Sequence, residues 1–190
     1  MDPVKVYGEE LTKYLEDGER LRDAGLCHAA FGDESGLGQP AGNLRAEGVA
    51  DRTPAPSEGS RTWVDGVDPL WGLEWNAAAV DARLGGVTAA GGADSIAARM
   101  LAAIRSTRGS TYYAVTDRRL LLLTRPSIRT FTPLFAVPLA AVTTARHEAR
   151  WFLPQRGRVV LHFADGSLLA LVTGHLFAGR AKALVAALRG

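Results

Sequence analysis

The residues best suited to chemistry in this chain are a single cysteine, Cys27, next to His28, three more histidines (His147, His162 and His175), and a set of arginines concentrated in the second half. An imidazolium beside a thiol lowers the thiol pKa and creates a nucleophile. Cys27 and His28 are adjacent on a segment that reads as a strand, and neighbours on a strand point to opposite faces. Cys27 is therefore read as a buried structural residue. The histidines have no His-x3-His or Glu-x-x-His spacing, so a zinc site would need ligands gathered from distant strands. No Gly-x-Ser-x-Gly pentapeptide is present to hold a serine on a strained turn; Glu34-Ser35-Gly36 comes nearest. Gly36-Leu37-Gly38-Gln39-Pro40-Ala41 has the outline of a dinucleotide fingerprint, but no strand precedes it and Pro40 interrupts it. Asp117 and Asp165 fall in turns, where a carboxylate bonds to the backbone. The expectation is a non-enzymatic protein with no cofactor and no metal.

Anion binding is the chemistry left over. On a strand beginning at Val142, Thr144, Arg146, Glu148 and Arg150 share one side, and Ala145, His147, Ala149 and Trp151 share the other. With Arg156 and Arg158 at the next turn, and Arg118 and Arg119 at another, Arg146 and Arg150 make a candidate anion- or lipid-binding patch. A solvated outer sheet face would account for the same residues. The formal net charge of +2 conceals an imbalance: residues 1–105 hold 10 Lys/Arg and 17 Asp/Glu, residues 106–190 hold 12 and 3. The basic half either faces an anionic partner or is neutralised by the acidic half of the same molecule. Three of the four tryptophans, Trp63, Trp71 and Trp75, lie within thirteen residues. They either pack an insertion onto the core or form a partner-binding anchor. Nucleic acid is not expected as a partner, because only Trp151 is interleaved with the basic residues.

These residues must be positioned by folded elements, and 190 residues with 47% hydrophobic and 22% charged residues are enough for one well-buried core. Pro3, Val4, Tyr7, Leu11, Tyr14 and Leu15 predict a helix ending near Gly18. Residues 19–28 predict a strand. Residues 30–61 are rich in Gly, Pro and small polar residues and read as a loop. Asp94 or Ser95 caps a second predicted helix with the stripe Ile96, Met100, Leu101 and Ile104. Six β-prone runs follow, at 111–116, 119–124, 134–138, 141–150, 158–164 and 167–173, and imply an antiparallel sheet. Asp165-Gly166 suits a tight hairpin turn. Residues 175–188 predict an amphipathic helix that plugs one end of the sheet.

The turn Tyr113-Ala114-Val115-Thr116-Asp117-Arg118-Arg119-Leu120-Leu121-Leu122-Leu123, the Phe163-Ala164-Asp165-Gly166-Ser167 hairpin and the closing helix together resemble bacterial pleckstrin-homology-like (GRAM-like) domains over residues 111–189. Asp17-Gly18-Glu19-Arg20-Leu21 resembles the segment leading into the first strand of such domains. The resemblance implies an α+β fold, a PH-like antiparallel β-barrel or bent sheet capped by a C-terminal helix, with additional N-terminal and central helices. Residues 1–29 and 94–190 would form this single domain, and residues 30–93 a flexible loop and Trp-containing insertion. It also implies a platform for an anionic membrane surface or a protein partner, although no Lys/Arg run follows His28 where lipid-binding relatives carry one. The alternative is a protein–protein scaffold or homo-oligomer. The single cysteine, the absence of a signal-peptide pattern and the lack of an apolar run long enough to cross a bilayer point to the cytoplasm, with a peripheral membrane position open.

Overall fold

A computed structural model of the chain describes residues 3–30, 34, 36–37, 86–107, 109–127, 130–150, 155–174 and 178–190. Trp63, Trp71, Trp75, Trp151 and His175 lie outside the described residues. The strands are β1 (Leu21–Ala29), β2 (Gly36–Leu37), β3 (Ala89–Gly91), β4 (Thr111–Thr116), β5 (Arg119–Ser127), β6 (Thr130–Pro138), β7 (Val142–His147), β8 (Arg158–Phe163) and β9 (Leu168–Val172). The helices are α1 (Pro3–Leu11), α2 (Ile96–Ser106) and α3 (Gly179–Arg189). The protein is mixed α+β, with a mostly antiparallel sheet and a C-terminal helix.

Two meanders build that sheet. β1, β4, β5 and β6 pair in order, as do β7, β8 and β9. They join where His28 and Ala29 at the end of β1 pair with Val172 and Leu171 of β9. A 3-10 turn, Leu139–Ala141, leads from β6 to β7, but no ladder links those two strands, so the sheet stays open.

Period-2 alternation decides what each face buries. Tyr113, Val115, Leu120, Leu122, Leu161, Leu169 and Leu171 point into one core with Met100 and Leu101 of α2 and Leu184 of α3. Ala114, Leu121, Leu123 and Phe131 point the other way and are covered by Leu11 of α1. Leu120 to Leu123 are thus all buried, which explains an unbroken leucine run in place of the apolar–polar alternation of a half-exposed strand. Tyr7 meets Tyr112 and Phe131 edge-on at 5.6 and 5.8 Å between ring centres.

The turn between β8 and β9 also fixes α2. Asp165 accepts the Ile96 N–H at 2.8 Å, Ser167 Oγ accepts the Ala97 N–H at 3.2 Å, and Ser95 Oγ accepts the Ala98 N–H at 3.3 Å. Side chains therefore satisfy donors that a helix start otherwise leaves without partners. Gly166, at φ +80°, takes the left-handed position in that turn.

Several elements differ from the sequence expectation. The first helix stops at Leu11, and a 3-10 turn carries the chain through Tyr14. The last helix begins at Gly179. β6 starts at Thr130, where the β propensities suggested Leu134, because a register shift opposite Leu122 and Leu123 admits Pro133 to the strand. Ala89–Gly91, read as part of the insertion, pairs with β9 through Ala89↔Leu169 and Ala90↔Leu168. Its residues are too short and small to announce a strand.

Candidate anion-binding site

The structure sorts the candidate arginines by whether a carboxylate already holds them. Arg119, at the start of β5, donates from Nε to Glu19 Oε1 at 2.9 Å and from Nη2 to Glu19 Oε2 at 2.8 Å, and its Nη1 lies 2.9 Å from Glu16. Arg118 is 3.8 Å from Glu16. Beyond the candidate set, Arg125 pairs with Glu10 at 3.1 Å and Arg180 with Asp23 at 2.8 Å. Four arginines of the basic half are thus matched to four acids of the first 23 residues. Burial raises the Glu19 pKa, but the bonds from Arg119, Thr116 and the Glu16 N–H outweigh it and leave the carboxyl at about 2.

Arg146, Arg150, Arg156 and Arg158 differ: among the described residues none of them makes an ion pair. They gather around the β7–β8 connection. Glu148 donates its N–H to the Arg158 carbonyl at 3.0 Å, and Arg150 donates its N–H to the Gln155 carbonyl at 3.3 Å. Arg146 is exposed on β7, opposite Val160. Arg150 and Arg156 are exposed and, with Ala149 and Ala178, line a hollow of about 230 Å³. Ala178 is the residue before α3. Gly86 backs the Arg150 guanidinium so closely that a Cβ there would stand 2.7 Å from Nη2.

Arg158 is buried, at 1% exposure. It donates to Gln155 Oε1 at 3.0 Å and to the Val87 carbonyl, both neutral acceptors, and its Nε is buried without a hydrogen-bond partner. Burial first, and then the Arg150 charge, push its pKa down to about 10, partly offset by Glu148. It therefore stays charged at neutral pH. His162 on the same strand is lowered by burial and then by Arg146, with Glu148 opposing. The field here is net positive, with Glu148 the nearby carboxylate that moderates it. Guanidinium groups placed this way favour phosphate or carboxylate oxygens, which they bind through two parallel hydrogen bonds.

The six candidate arginines thus occupy two places, the β4–β5 turn and the β7–β8 connection. Gln155, Gly86 and Ala178 were not singled out from sequence; they matter through backbone approach and a neutral amide, for which the residue types give no signal. Cys27 is buried, and burial lifts its thiol to about 12, so it is not a nucleophile at neutral pH. His147 is held by its Nε2 against the Arg156 carbonyl at 2.8 Å. No group of three or more metal-ligating side chains occurs among the described residues, and no described helix is long and apolar enough to cross a membrane. Comparison with protein-family models, with curated proteins and with solved structures finds no match for the chain.

Proposed function

We propose that the chain is a non-enzymatic, PH-like interaction module that meets an anionic membrane surface from the cytoplasmic side through the arginines of the β7–β8 connection. The arrangement of two antiparallel meanders with a closing C-terminal helix fits the PH-like resemblance of residues 111–189. One observation carries the reading: Arg118, Arg119, Arg125 and Arg180 have carboxylate partners in the first 23 residues, whereas Arg146, Arg150 and Arg156, grouped at the β7–β8 connection, reach the surface without one among the described residues. Unmatched surface cations are the ones whose charge is available to lipid phosphates.

Co-sedimentation with neutral and anionic liposomes, at low and at physiological salt, tests it. The full chain is expected to pellet with anionic liposomes alone, less so as salt rises, and Arg150→Ala/Arg156→Ala is expected to lose that association. Binding that ignores lipid charge, or that survives the double substitution, would overturn the proposal. Inorganic phosphate added as competitor separates recognition of a single phosphate group from attraction to a charged surface.

A further inference from the structure

Arg158 is 1% exposed, yet its guanidinium is enclosed by neutral oxygens. It donates to Gln155 Oε1 at 3.0 Å and to the Val87 carbonyl, and its Nε is buried without an acceptor. Enclosing a charge without an opposite one is costly, and the cost falls when an anion comes close.

The fold brings that charge beside the hollow of about 230 Å³ lined by Ala149, Arg150, Arg156 and Ala178. The Arg150 guanidinium packs on Gly86, and Arg158 reaches the carbonyl of the next residue, Val87. One step of backbone thus separates the two contacts, and Arg150 is the residue that continues into the hollow. Burial first, and then the Arg150 charge, disfavour the charged form of Arg158, with Glu148 opposing. Gly157, between Arg156 and Arg158, is seated on Gly174: its N–H donates to the Gly174 carbonyl at 3.1 Å, and the approach leaves no room for a Cβ. Ala178 is the N-cap of α3 and has no side-chain acceptor, so the positive end of that helix borders the same hollow.

Charge and size then define the occupant. From residue 148 to residue 158 the chain carries Arg150, Arg156 and Arg158 against Glu148 alone, three positive charges and one negative, an excess of two. A dianion balances that excess. Guanidinium forks match the oxygens of a phosphate, and a phosphomonoester carries close to two charges at neutral pH where a phosphodiester carries one. At about 230 Å³ the hollow is smaller than the roughly 300 Å³ of the smallest pockets that enclose drug-sized molecules. One phosphate group fits, and the molecule bearing it stays outside.

We propose that this hollow binds a single phosphomonoester dianion, held by Arg150 and Arg156, whose charge compensates the buried Arg158. Such a site rests on the reading of these arginines as anion-binding, and narrows it from a charged surface to one terminal phosphate, carried by a lipid headgroup or by a small soluble molecule.

Titration calorimetry of the full chain with glycerol 3-phosphate tests the site. The second ionisation of a phosphomonoester lies at about pH 6, so binding is expected at about pH 7.5 and should be about tenfold weaker at about pH 5, where the ligand carries one charge. Sulfate, a dianion at both values, reports titration of the protein's own Glu148, His147 and His162, and should bind equally at the two. A parallel fall with sulfate would overturn the requirement for a dianion. Arg150→Gln and Arg156→Gln alter exposed residues and should each lower affinity about tenfold or more, the size of a lost charge-assisted bond. Arg158→Met keeps the lining of the hollow but removes the buried charge, and the rise in thermal midpoint that the ligand gives the wild type should shrink.

Liposomes of phosphatidic acid, a monoester, and of phosphatidylglycerol, a diester, compared at matched charge, separate the two sources. Preference for phosphatidic acid places the phosphate on a lipid. Binding of glycerol 3-phosphate with no liposome association places it on a soluble molecule, which ends the membrane reading and keeps the site. No calorimetric signal, or one that survives Arg150→Gln/Arg156→Gln, overturns the proposal; equal association with both liposomes in that case leaves the membrane reading standing.

Discussion

Arg180 and Asp23 are 157 residues apart in sequence and 2.8 Å apart in the fold, and their ion pair fastens the C-terminal helix to the first long strand. Tyr113 completes the arrangement. Its hydroxyl donates to the other Asp23 oxygen at 2.9 Å and accepts from Arg180 at 2.9 Å. Burial and then the Asp23 charge push the Tyr113 hydroxyl well above its ordinary range. Gly25 makes the approach possible, because a Cβ there would stand 3.0 Å from the Tyr113 ring.

Asp23→Ala should therefore destabilise the fold by about 3 kcal/mol, the low end for breaking a buried pair, since Arg180 keeps some contact with water. Urea unfolding should show a lower midpoint with an unchanged slope. Tyr113→Phe should cost about 1 kcal/mol, the value of a single hydrogen bond. A cost for Asp23→Ala no larger than that of Tyr113→Phe would mean that the ion pair adds nothing to the hold that Ala181, Leu184 and Val185 already give α3 in the core.

Acid should weaken the fold through Glu19. Its folded pKa of about 2 lies below the ordinary 4.5, so on acidification the unfolded chain takes up a proton first. The stabilisation is complete above about pH 4.5 and is lost as pH falls toward 2, amounting to about 3 kcal/mol. Asp165, also lowered by its bonds to Ser167 and the Ile96 N–H against the effect of burial, acts in the same direction. Glu19→Gln should flatten stability against pH between these limits, leaving the smaller Asp165 contribution. An unchanged acid slope in Glu19→Gln would place the acid sensitivity elsewhere.

Asp165→Ala tests the coupling of a turn to a helix. The substitution removes the acceptor of the Ile96 N–H, at 2.8 Å, and of the Ser167 N–H, at 3.0 Å. A loss of about 1–2 kcal/mol is expected, with Asp165→Asn recovering part of it. Amide exchange should rise first in the opening turn of α2.

These long-range ties mark where sequence reading stopped. Periodicity put Arg146 and Ala145 on opposite sides of their strand, because alternation is a property of the strand itself, and the fold exposes the first and buries the second. A helix cap at Asp94 or Ser95 was legible, with Ser95 the one that caps, and so was the Asp165-Gly166 turn, since both act within a few residues. Glu19 and Arg119 are 100 residues apart, and nothing local tells an arginine which carboxylate the register will bring to it. The charge imbalance between the halves was visible, but its resolution was not. The fold neutralises Arg118, Arg119, Arg125 and Arg180 with the acidic N-terminal segment and leaves the β7–β8 arginines unmatched among the described residues.

That division predicts unequal effects per charge removed. An arginine near an anionic surface contributes about 1 kcal/mol, so Arg150→Ala/Arg156→Ala should lower liposome affinity by about thirtyfold and flatten its dependence on salt. Arg118→Ala also removes a positive charge, but from a pair with Glu16 at 3.8 Å in which both side chains are more than half exposed. Its effect should stay within about threefold, since exposed pairs of this kind contribute little. Titrating liposomes against each variant at several salt concentrations separates the cases. Equal losses per charge removed would mean that the membrane senses net charge alone; a loss confined to Arg150 and Arg156 would assign the contact to the hollow beside Ala178, and with it the orientation in which the sheet meets the surface.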